Sequence, residues 1–209
     1  MRTPAAVAGI GYTVSWILSF VVGAPMPSVA ASGDQIVAAF AGHDSPSIAN
    51  FVLSEGTPAV ALAAVVLLVA RAASRAGARR AGLAVAVFGV AAAAVSLAEL
   101  VMAAWLQYGP VTSGNAATAG AVWSAIQRID GAKMFVLASM AVALAVLSLT
   151  SAVLPRRLAP LAFLLAACLL ISGVGFVLLA NALSGAVFVS GVLLLVVVTA
   201  TGVTLRTSR

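Results

Sequence analysis

The sequence predicts an all-α protein, a polytopic membrane bundle of about six transmembrane helices. Two observations support this fold class. Of the 209 residues, 63% are hydrophobic and 8% are charged, whereas a soluble domain usually carries about 25% charged residues. The mean hydropathy is +1.19, and the apolar residues fall in runs near the roughly 20 that a membrane-spanning helix needs. A soluble cytosolic domain is therefore excluded.

Six apolar runs divide the chain, and we treat residues 1–209 as one transmembrane domain. The second run is the least regular, because Glu55 and Pro58 lie in its outer part. The apolar stretch that begins at Pro58 is too short to cross the bilayer alone, so this span must include residues before Thr57. The predicted spans are residues 5–24, 51–70, 81–106, 134–154, 158–180 and 183–205.

The basic residues predict how these helices are threaded. Cytoplasmic loops of membrane proteins are enriched in Lys and Arg. Only Arg128 and Lys133 fall on one side of the predicted bundle, against nine basic residues on the other. Both termini are therefore expected in the cytoplasm. The nine residues are Arg2, Arg71, Arg75, Arg79, Arg80, Arg156, Arg157, Arg206 and Arg209.

The N-terminus has a second interpretation. Arg2, the apolar stretch and the small residues Ser28-Val29-Ala30 resemble a secretory signal peptide. Cleavage would leave five spans and an N-terminus outside. We expect the first helix to be retained, because its apolar stretch is longer than the roughly 7–15 residues of a signal-peptide core.

Composition also indicates the compartment and the partners. Ten of the eleven basic residues are arginine and alanine is abundant, which is typical of a GC-rich bacterial genome. The expected location is the bacterial cytoplasmic (inner) membrane, with the lipid bilayer as first partner. A partner membrane subunit or a homodimer is also expected. The basic excess sits at helix ends, which argues against nucleic-acid binding despite a pI near 11.1.

Two segments outside the spans carry helical signals. In residues 25–50 a short extracellular helix is predicted over 34–40, followed by a second start with Ser45 as N-cap and Pro46 at the first helical position. Residues 107–133 are predicted to form a long outer loop. It begins with a turn at Tyr108-Gly109-Pro110 and contains a helix over 121–129.

Glu99 is the most informative residue, because it lies inside the third span without a charged neighbour. A carboxylate at membrane depth usually faces the bundle interior or a water-filled cavity. Glu55 lies at a similar depth, Lys133 can reach down towards both from the start of the fourth span, and Arg128 lies higher. The sequence thus predicts an intramembrane polar cluster of Glu99, Glu55, Lys133 and Arg128. For Glu99 the sequence leaves open a structural ion pair, a proton- or cation-linked site, or a polar rim. For Glu55 it also leaves open a position in a surface turn.

A polar and aromatic stripe marks the first helix. Tyr12, Ser15, Trp16 and Ser19 follow the spacing i, i+3, i+4, i+7 and share one face. Such a stripe can line a ligand cavity, or its hydroxyls can bond to neighbouring helices. Both interpretations stay open at this stage.

Several kinds of chemistry lack their residues. A single cysteine, Cys168, allows no intramolecular disulfide or cysteine-based redox pair, and a single histidine, His43, allows no multi-histidine metal site. There is no phosphate-binding glycine loop, no His-Glu-x-x-His and no Cys-x-x-Cys. We therefore expect no metal, no cofactor and no catalytic residue.

The order of short sequence patterns along the chain also resembles that of a known group of proteins. An N-terminal span with Gly9-x-Gly11-Tyr12 precedes a Pro-containing outer segment with an Ala-rich amphipathic helix. The fourth span starts after Ile129-Asp130-x-x-Lys133 and leads to Leu154-Pro155-Arg156-Arg157. This arrangement resembles small multi-span bacterial integral membrane proteins of unknown function. The resemblance implies no activity and no functional residues.

Three functions are compatible with this sequence. The absence of catalytic motifs favours a non-enzymatic accessory or partner-binding bundle. The first alternative is a small proton- or cation-coupled transporter that uses Glu99, and the second is a membrane enzyme acting on a lipid substrate. A water-filled path to Glu99 would favour the transporter, whereas Glu99 sealed against Lys133 or Arg128 would favour the accessory bundle. A lateral, lipid-sized opening on which Glu55, Glu99 and Tyr12 converge would favour the enzyme.

Overall fold

The fold was established from a computed structural model, which describes residues 4–205. Within that range the chain is helical and contains no strand, and six helices are long and apolar enough to cross a membrane. The predicted fold class is confirmed, and the six helices are compatible with an integral membrane bundle. Arg2, Arg206 and Arg209, which contribute to the orientation prediction, lie outside the described residues.

The helices follow the predicted order with longer bounds at several ends. Two of the spans contain a five-residue π-helical turn, over Val52–Gly56 and over Gln107–Val111. The α-helices are α1 (Pro4–Val21), α2 (Gly33–Phe40), α3 (Asp44–Phe51), α4 (Thr57–Arg75), α5 (Arg79–Leu106), α6 (Ala116–Thr150), α7 (Leu158–Val177), α8 (Asn181–Ser184) and α9 (Val187–Thr204).

The spanning helices form a closed ring. Each of α4, α5 and α6 packs against the next spanning helix in the chain, and α7 packs against α9. The ring closes because α9 packs against α1, which in turn contacts α4. Short turns between consecutive spans make antiparallel neighbours the natural arrangement. The core inside this ring is built from aliphatic side chains, including Val69, Leu144, Leu165 and Val197.

Glycines allow the closest helix contacts. A Cβ atom at Gly202 of α9 would lie 2.3 Å from the carbonyl oxygen of Ala5 in α1, and one at Gly131 of α6 would lie 2.8 Å from the backbone nitrogen of Val177 in α7. Without hydrophobic solvent exclusion to drive them together, membrane helices associate through such close van der Waals packing. Glycine therefore stands where α9 meets α1 and where α6 meets α7, because a side chain at these positions would separate the helices.

A helical cap covers one end of the ring. Ser32 and Gln35 form a reciprocal capping box at the start of α2, which packs against α6. A second apolar core lies beneath α2 and includes Ile36, Phe40 and Trp123. The indole nitrogen of Trp123 donates a hydrogen bond of 3.0 Å to the Ser28 carbonyl. The short helix predicted over 34–40 is thus present as α2.

The second helical start of the outer segment differs in detail. The predicted N-cap at Ser45 is wrong by two residues, because α3 begins at Asp44 with His43 as N-cap. Pro46 lies in the first turn of α3, where its missing N–H leaves no hydrogen bond broken.

The segment predicted as a long outer loop over 107–133 is mostly helical, and the helix predicted within it over 121–129 is present as part of a longer one. The turn expected at Tyr108-Gly109-Pro110 is a π-helical turn that continues α5, and α6 begins at Ala116 and runs unbroken through residues 121–129. At 35 residues, α6 is roughly 52 Å long, well beyond a bilayer's hydrocarbon thickness. The helix persists because its outer turns pack apolar side chains, such as Val122 and Ile126, against the cap.

Candidate functional site: a carboxylate cluster around Lys133

The ammonium of Lys133 lies at the centre of the candidate site. Its Nζ atom is 2.5 Å from Oε2 of Glu99, 2.8 Å from Oε2 of Glu55 and 2.8 Å from Oδ1 of Asp130. Glu99 comes from the last third of α5, and Asp130 lies one turn before Lys133 on α6. Glu55 belongs to the π-turn between α3 and α4. One cation thus joins carboxylates from three elements.

Exposure is graded across the cluster. The side chains of Glu99 and Lys133 are 3% and 6% exposed, whereas those of Glu55 and Asp130 are 15% and 19% exposed. The second oxygen of Glu99, Oε1, is buried and has no hydrogen-bond partner among the described residues. Glu99 is therefore the inner end of the site, and Glu55 and Asp130 form its edge.

Two features explain the π-turn that carries Glu55, one just after the turn and one on α1. The Thr57 N–H bonds to the Val52 carbonyl, five residues earlier. The same spacing would pair the Leu53 carbonyl with Pro58, which has no N–H to donate. The Ser15 hydroxyl of α1 donates a hydrogen bond of 2.7 Å to the Leu53 oxygen instead. Such π-turns occur frequently at functional sites.

The stripe on α1 faces this turn. Tyr12 is buried and is close enough to be influenced by the charges of Glu55 and Lys133. The Ser19 hydroxyl donates to the Trp16 carbonyl at 2.7 Å, and the Ser19 carbonyl accepts from Asn50 at 2.8 Å. Ser15 and Ser19 thus connect α1 to the π-turn and to α3, and Tyr12 borders the cluster.

The structure brings three of the four predicted cluster residues together. Glu55, Glu99 and Lys133 meet, but Arg128 is exposed and takes part in no ion pair within residues 4–205. On a helix, Arg128 lies about 140° around the axis from Lys133, which turns it away from the site. The prediction of Glu55 in a surface turn is also wrong, since residues 54–58 are continuous with helices on both sides.

Asp130 is the member that sequence reasoning missed. Its signal was the spacing Asp130-x-x-Lys133, since residues three apart on a helix are neighbours. Gln107 was missed as well. It is buried at the end of α5, and its amide donates to the Phe40 carbonyl at 3.2 Å and to the Asp44 carboxylate. Gln107 thus ties both helices of the cap, α2 and α3, to the end of α5.

The carboxylates of the cluster also have the spacing of a cation site. One oxygen each from Glu55, Glu99 and Asp130 lies within 4.8 Å of the other two. Oxygen ligands of this kind suit hard cations and protons. Lys133 supplies one positive charge against three carboxylates, so the site carries a formal charge of −2 when all four groups are ionised.

An apolar groove lies beside the π-turn. Its volume is about 560 Å³, and its lining includes Ala8, Gly11, Val52, Gly56 and Leu97. The groove flanks the helical turns that carry Glu55 and Glu99, but its walls are almost entirely apolar. It is therefore an apolar groove, and Glu55, Glu99 and Tyr12 are not among its lining residues.

Comparison with protein-family models, curated proteins and solved structures gives no match for this chain. The resemblance to small multi-span bacterial membrane proteins therefore stays an expectation from the sequence. The chemistry of the cluster follows from the contacts that α5, α6 and the π-turn create around Lys133.

Proposed function

We propose that this protein is a small proton- or cation-coupled membrane carrier whose coupling site is the cluster of Glu55, Glu99, Asp130 and Lys133. The observation that carries the proposal is the charge imbalance around Lys133, three carboxylates against one ammonium, all within 2.8 Å of its nitrogen. The cluster predicted from the sequence is formally neutral, with two carboxylates and two cations. The cluster in the structure contains Asp130 in place of Arg128, so its formal charge is negative instead of zero.

Uncompensated charge is unfavourable at membrane depth. A buried ion loses its hydration, and only close opposite charge or hydrogen bonds offset that loss. Lys133 offsets one of the three carboxylates. Binding a proton or a further cation lowers the remaining charge, so the site has a capacity that an ordinary ion pair lacks. The unpaired Oε1 of Glu99 offers a position for it.

The geometry also supports a direction of exchange. Glu55 and Asp130 are partly exposed while Glu99 is almost fully buried, so a proton or cation reaches Glu99 by way of one of the outer carboxylates. Glu55 sits on a π-turn, whose irregular backbone bonding leaves it free to change register more easily than a regular helix. A movement there changes which carboxylates face Lys133.

The carrier is expected in the bacterial inner membrane with the arginine-rich end in the cytoplasm. Six spans make a small carrier, and a homodimer is the expected working form. In this orientation the cap formed by α2 and α3 faces outside, and the cluster lies in the outer half of the membrane.

Infrared spectroscopy of the purified protein tests the capacity of the site. At neutral pH, we expect a C=O stretching band from a protonated carboxyl group that exchanges slowly with D2O. The band should vanish in Glu99→Gln or shift, because that group shares the site's proton. The matched control is Asp34→Asn, since Asp34 is an exposed acid of the cap. It should keep the band.

Elemental analysis covers the alternative occupant. If the protonated carboxyl band is absent, the protein should retain sodium or calcium after desalting from a solution of sodium chloride or calcium chloride. The amount retained should follow the number of protein molecules that have an intact cluster. A protein that shows neither the band nor a retained cation would contradict the proposed site.

Flux measurements test the carrier function itself. Vesicles containing the protein and a pH-sensitive dye are given a pH gradient, and we expect proton movement that Glu99→Gln abolishes and Asp34→Asn leaves intact. Glu99→Gln should still elute as a monodisperse species. Equal flux in all three proteins would overturn the coupling role of Glu99.

A non-enzymatic accessory bundle is the second candidate function. Glu99 is sealed against Lys133, at 2.5 Å between two almost fully buried side chains, which is the arrangement expected of an accessory bundle. Such a contact can lock helices together without chemistry. For this function Glu99→Gln lowers the unfolding temperature, and vesicles show no protein-dependent proton movement. A partner subunit should then copurify with the protein from its own membrane. The carrier is preferred because two further carboxylates surround the same ammonium.

A further inference from the structure

A separate cavity lies at the opposite end of the bundle from the cap. Its volume is about 630 Å³, and it is formed where α6 ends and α7 begins. Both polar and apolar groups line it. The lining includes Leu149, Thr150, Ser151, Leu154, Arg156 and Arg157.

The two arginines of this cavity have no counter-ion in the described chain. All ion pairs within residues 4–205 involve Lys133. The sequence has no Asp or Glu after Asp130, so the helices that form the cavity carry no acid near it. Arg156 and Arg157 are both exposed. Both guanidinium groups are therefore free to pair with an external anion.

The start of α7 adds to the positive potential. Arg157 is the N-cap residue of α7, no side chain caps this helix, and its first turn contains no acidic residue. The N-terminus of a helix carries a partial positive charge, but the N–H groups of Leu158 and Ala159 already donate to backbone carbonyls of the preceding turn, so the guanidinium groups are the donors available to an anion. Helix dipole and guanidinium groups thus act on the same cavity.

We propose that this cavity binds the phosphate headgroup of an anionic phospholipid. Arginine guanidinium groups match phosphate oxygens with paired hydrogen bonds. Leu149 and Leu154 supply an apolar wall of the cavity, and α7, which begins at the cavity, exposes Leu161 and Leu164, beside which an acyl chain can lie. A free anion would have no use for that wall. The site is independent of the Lys133 cluster.

Native mass spectrometry of the purified protein in detergent tests the proposal. Phosphatidylglycerol and phosphatidylcholine with the same acyl chains are titrated in turn. Because each arginine near a membrane surface contributes about 1 kcal/mol towards anionic lipid, we expect at least about tenfold preference for phosphatidylglycerol. The Arg156→Gln/Arg157→Gln variant should lose this preference.

A second arginine pair provides the matched control. Arg79 and Arg80 are adjacent, exposed and also at a helix start, that of α5, but they do not line this cavity. The Arg79→Gln/Arg80→Gln variant should keep the preference for phosphatidylglycerol. Equal loss in both variants would show that the effect is general surface charge and would overturn the site.

Competition distinguishes a lipid from a free phosphate ion. Inorganic phosphate added to the complex of wild-type protein with phosphatidylglycerol should not release the lipid at equal concentration. Release at that concentration would overturn the lipid assignment. All four arginines are exposed, so their substitution should preserve the fold, and gel filtration of each variant verifies this.

Discussion

Lys133 connects more of this molecule than any other charged side chain that the structure describes. It joins α5, α6 and the π-turn through three carboxylates while being almost fully buried. Sequence reasoning finds Glu55, Glu99 and Lys133 because charged residues are rare in apolar spans. It misjudges Arg128 and Asp130 because membership depends on which side of α6 faces α5, and the apolar pattern of α6 does not reveal that.

Substituting Lys133 should destabilise the protein strongly. In Lys133→Met the three carboxylates lose their shared cation, and removing one partner of a buried ion pair typically costs about 3–5 kcal/mol. Arg128→Gln is the control, because Arg128 is exposed and forms no ion pair in the described residues. It should change stability by no more than about 0.5 kcal/mol. Thermal unfolding in detergent measures both, and similar values for the two variants would contradict the central role of Lys133.

The π-turn over Val52–Gly56 is the decisive element of the site. It follows from Pro58, which removes a backbone donor, and from Ser15, which supplies a replacement at 2.7 Å. The sequence shows Pro58 and Ser15 but not their connection, since they lie on different helices. A hydropathy pattern cannot distinguish a π-turn from a break, and the prediction of a surface turn therefore fails at Glu55.

Ser15→Ala should loosen this turn. The Leu53 carbonyl would lose its hydrogen-bond partner in an apolar environment, which costs about 1 kcal/mol for hydrogen bonds of this kind in membranes. Amide hydrogen exchange over residues 52–57 should increase. Ser113→Ala is the control, because the exposed Ser113 hydroxyl bonds only to nearby backbone of its own turn. Unchanged exchange at residues 52–57 in Ser15→Ala would show that the turn is held by other contacts.

At the scale of the whole molecule, charge is segregated between the two ends. All five acidic residues lie in the half of the molecule that carries the cap. At the other end, the α4–α5 turn is surrounded by Arg71, Arg75, Arg79 and Arg80. Arg156 and Arg157 lie at that same end, in the α6–α7 turn. This separation is the basis for expecting the arginine-rich end in the cytoplasm.

Cysteine labelling tests the orientation. In a Cys168→Ala background, Ala76→Cys reports on the arginine-rich end and Ser113→Cys on the capped end, since both positions are exposed. A membrane-impermeant maleimide should label Ser113→Cys in intact cells and Ala76→Cys only after lysis. The reverse pattern would place the cap in the cytoplasm and would move the proposed phospholipid cavity to the outer leaflet.

The sequence by itself determines the six helices and the cap helix α2. These are local properties, because an apolar run of sufficient length must satisfy its backbone hydrogen bonds within itself when it lies in lipid. Ser32 and Gln35 specify the start of α2 in the same local way.

Only the tertiary structure decides what the polar residues do. Whether Asp130 or Arg128 joins Lys133 depends on the rotation of α6 against α5. Whether residues 107–133 form a loop or extend two helices depends on the second apolar core under the cap. The number of carboxylates around Lys133, and with it the capacity for a proton or cation, is a property of helices packed together and is absent from each helix alone.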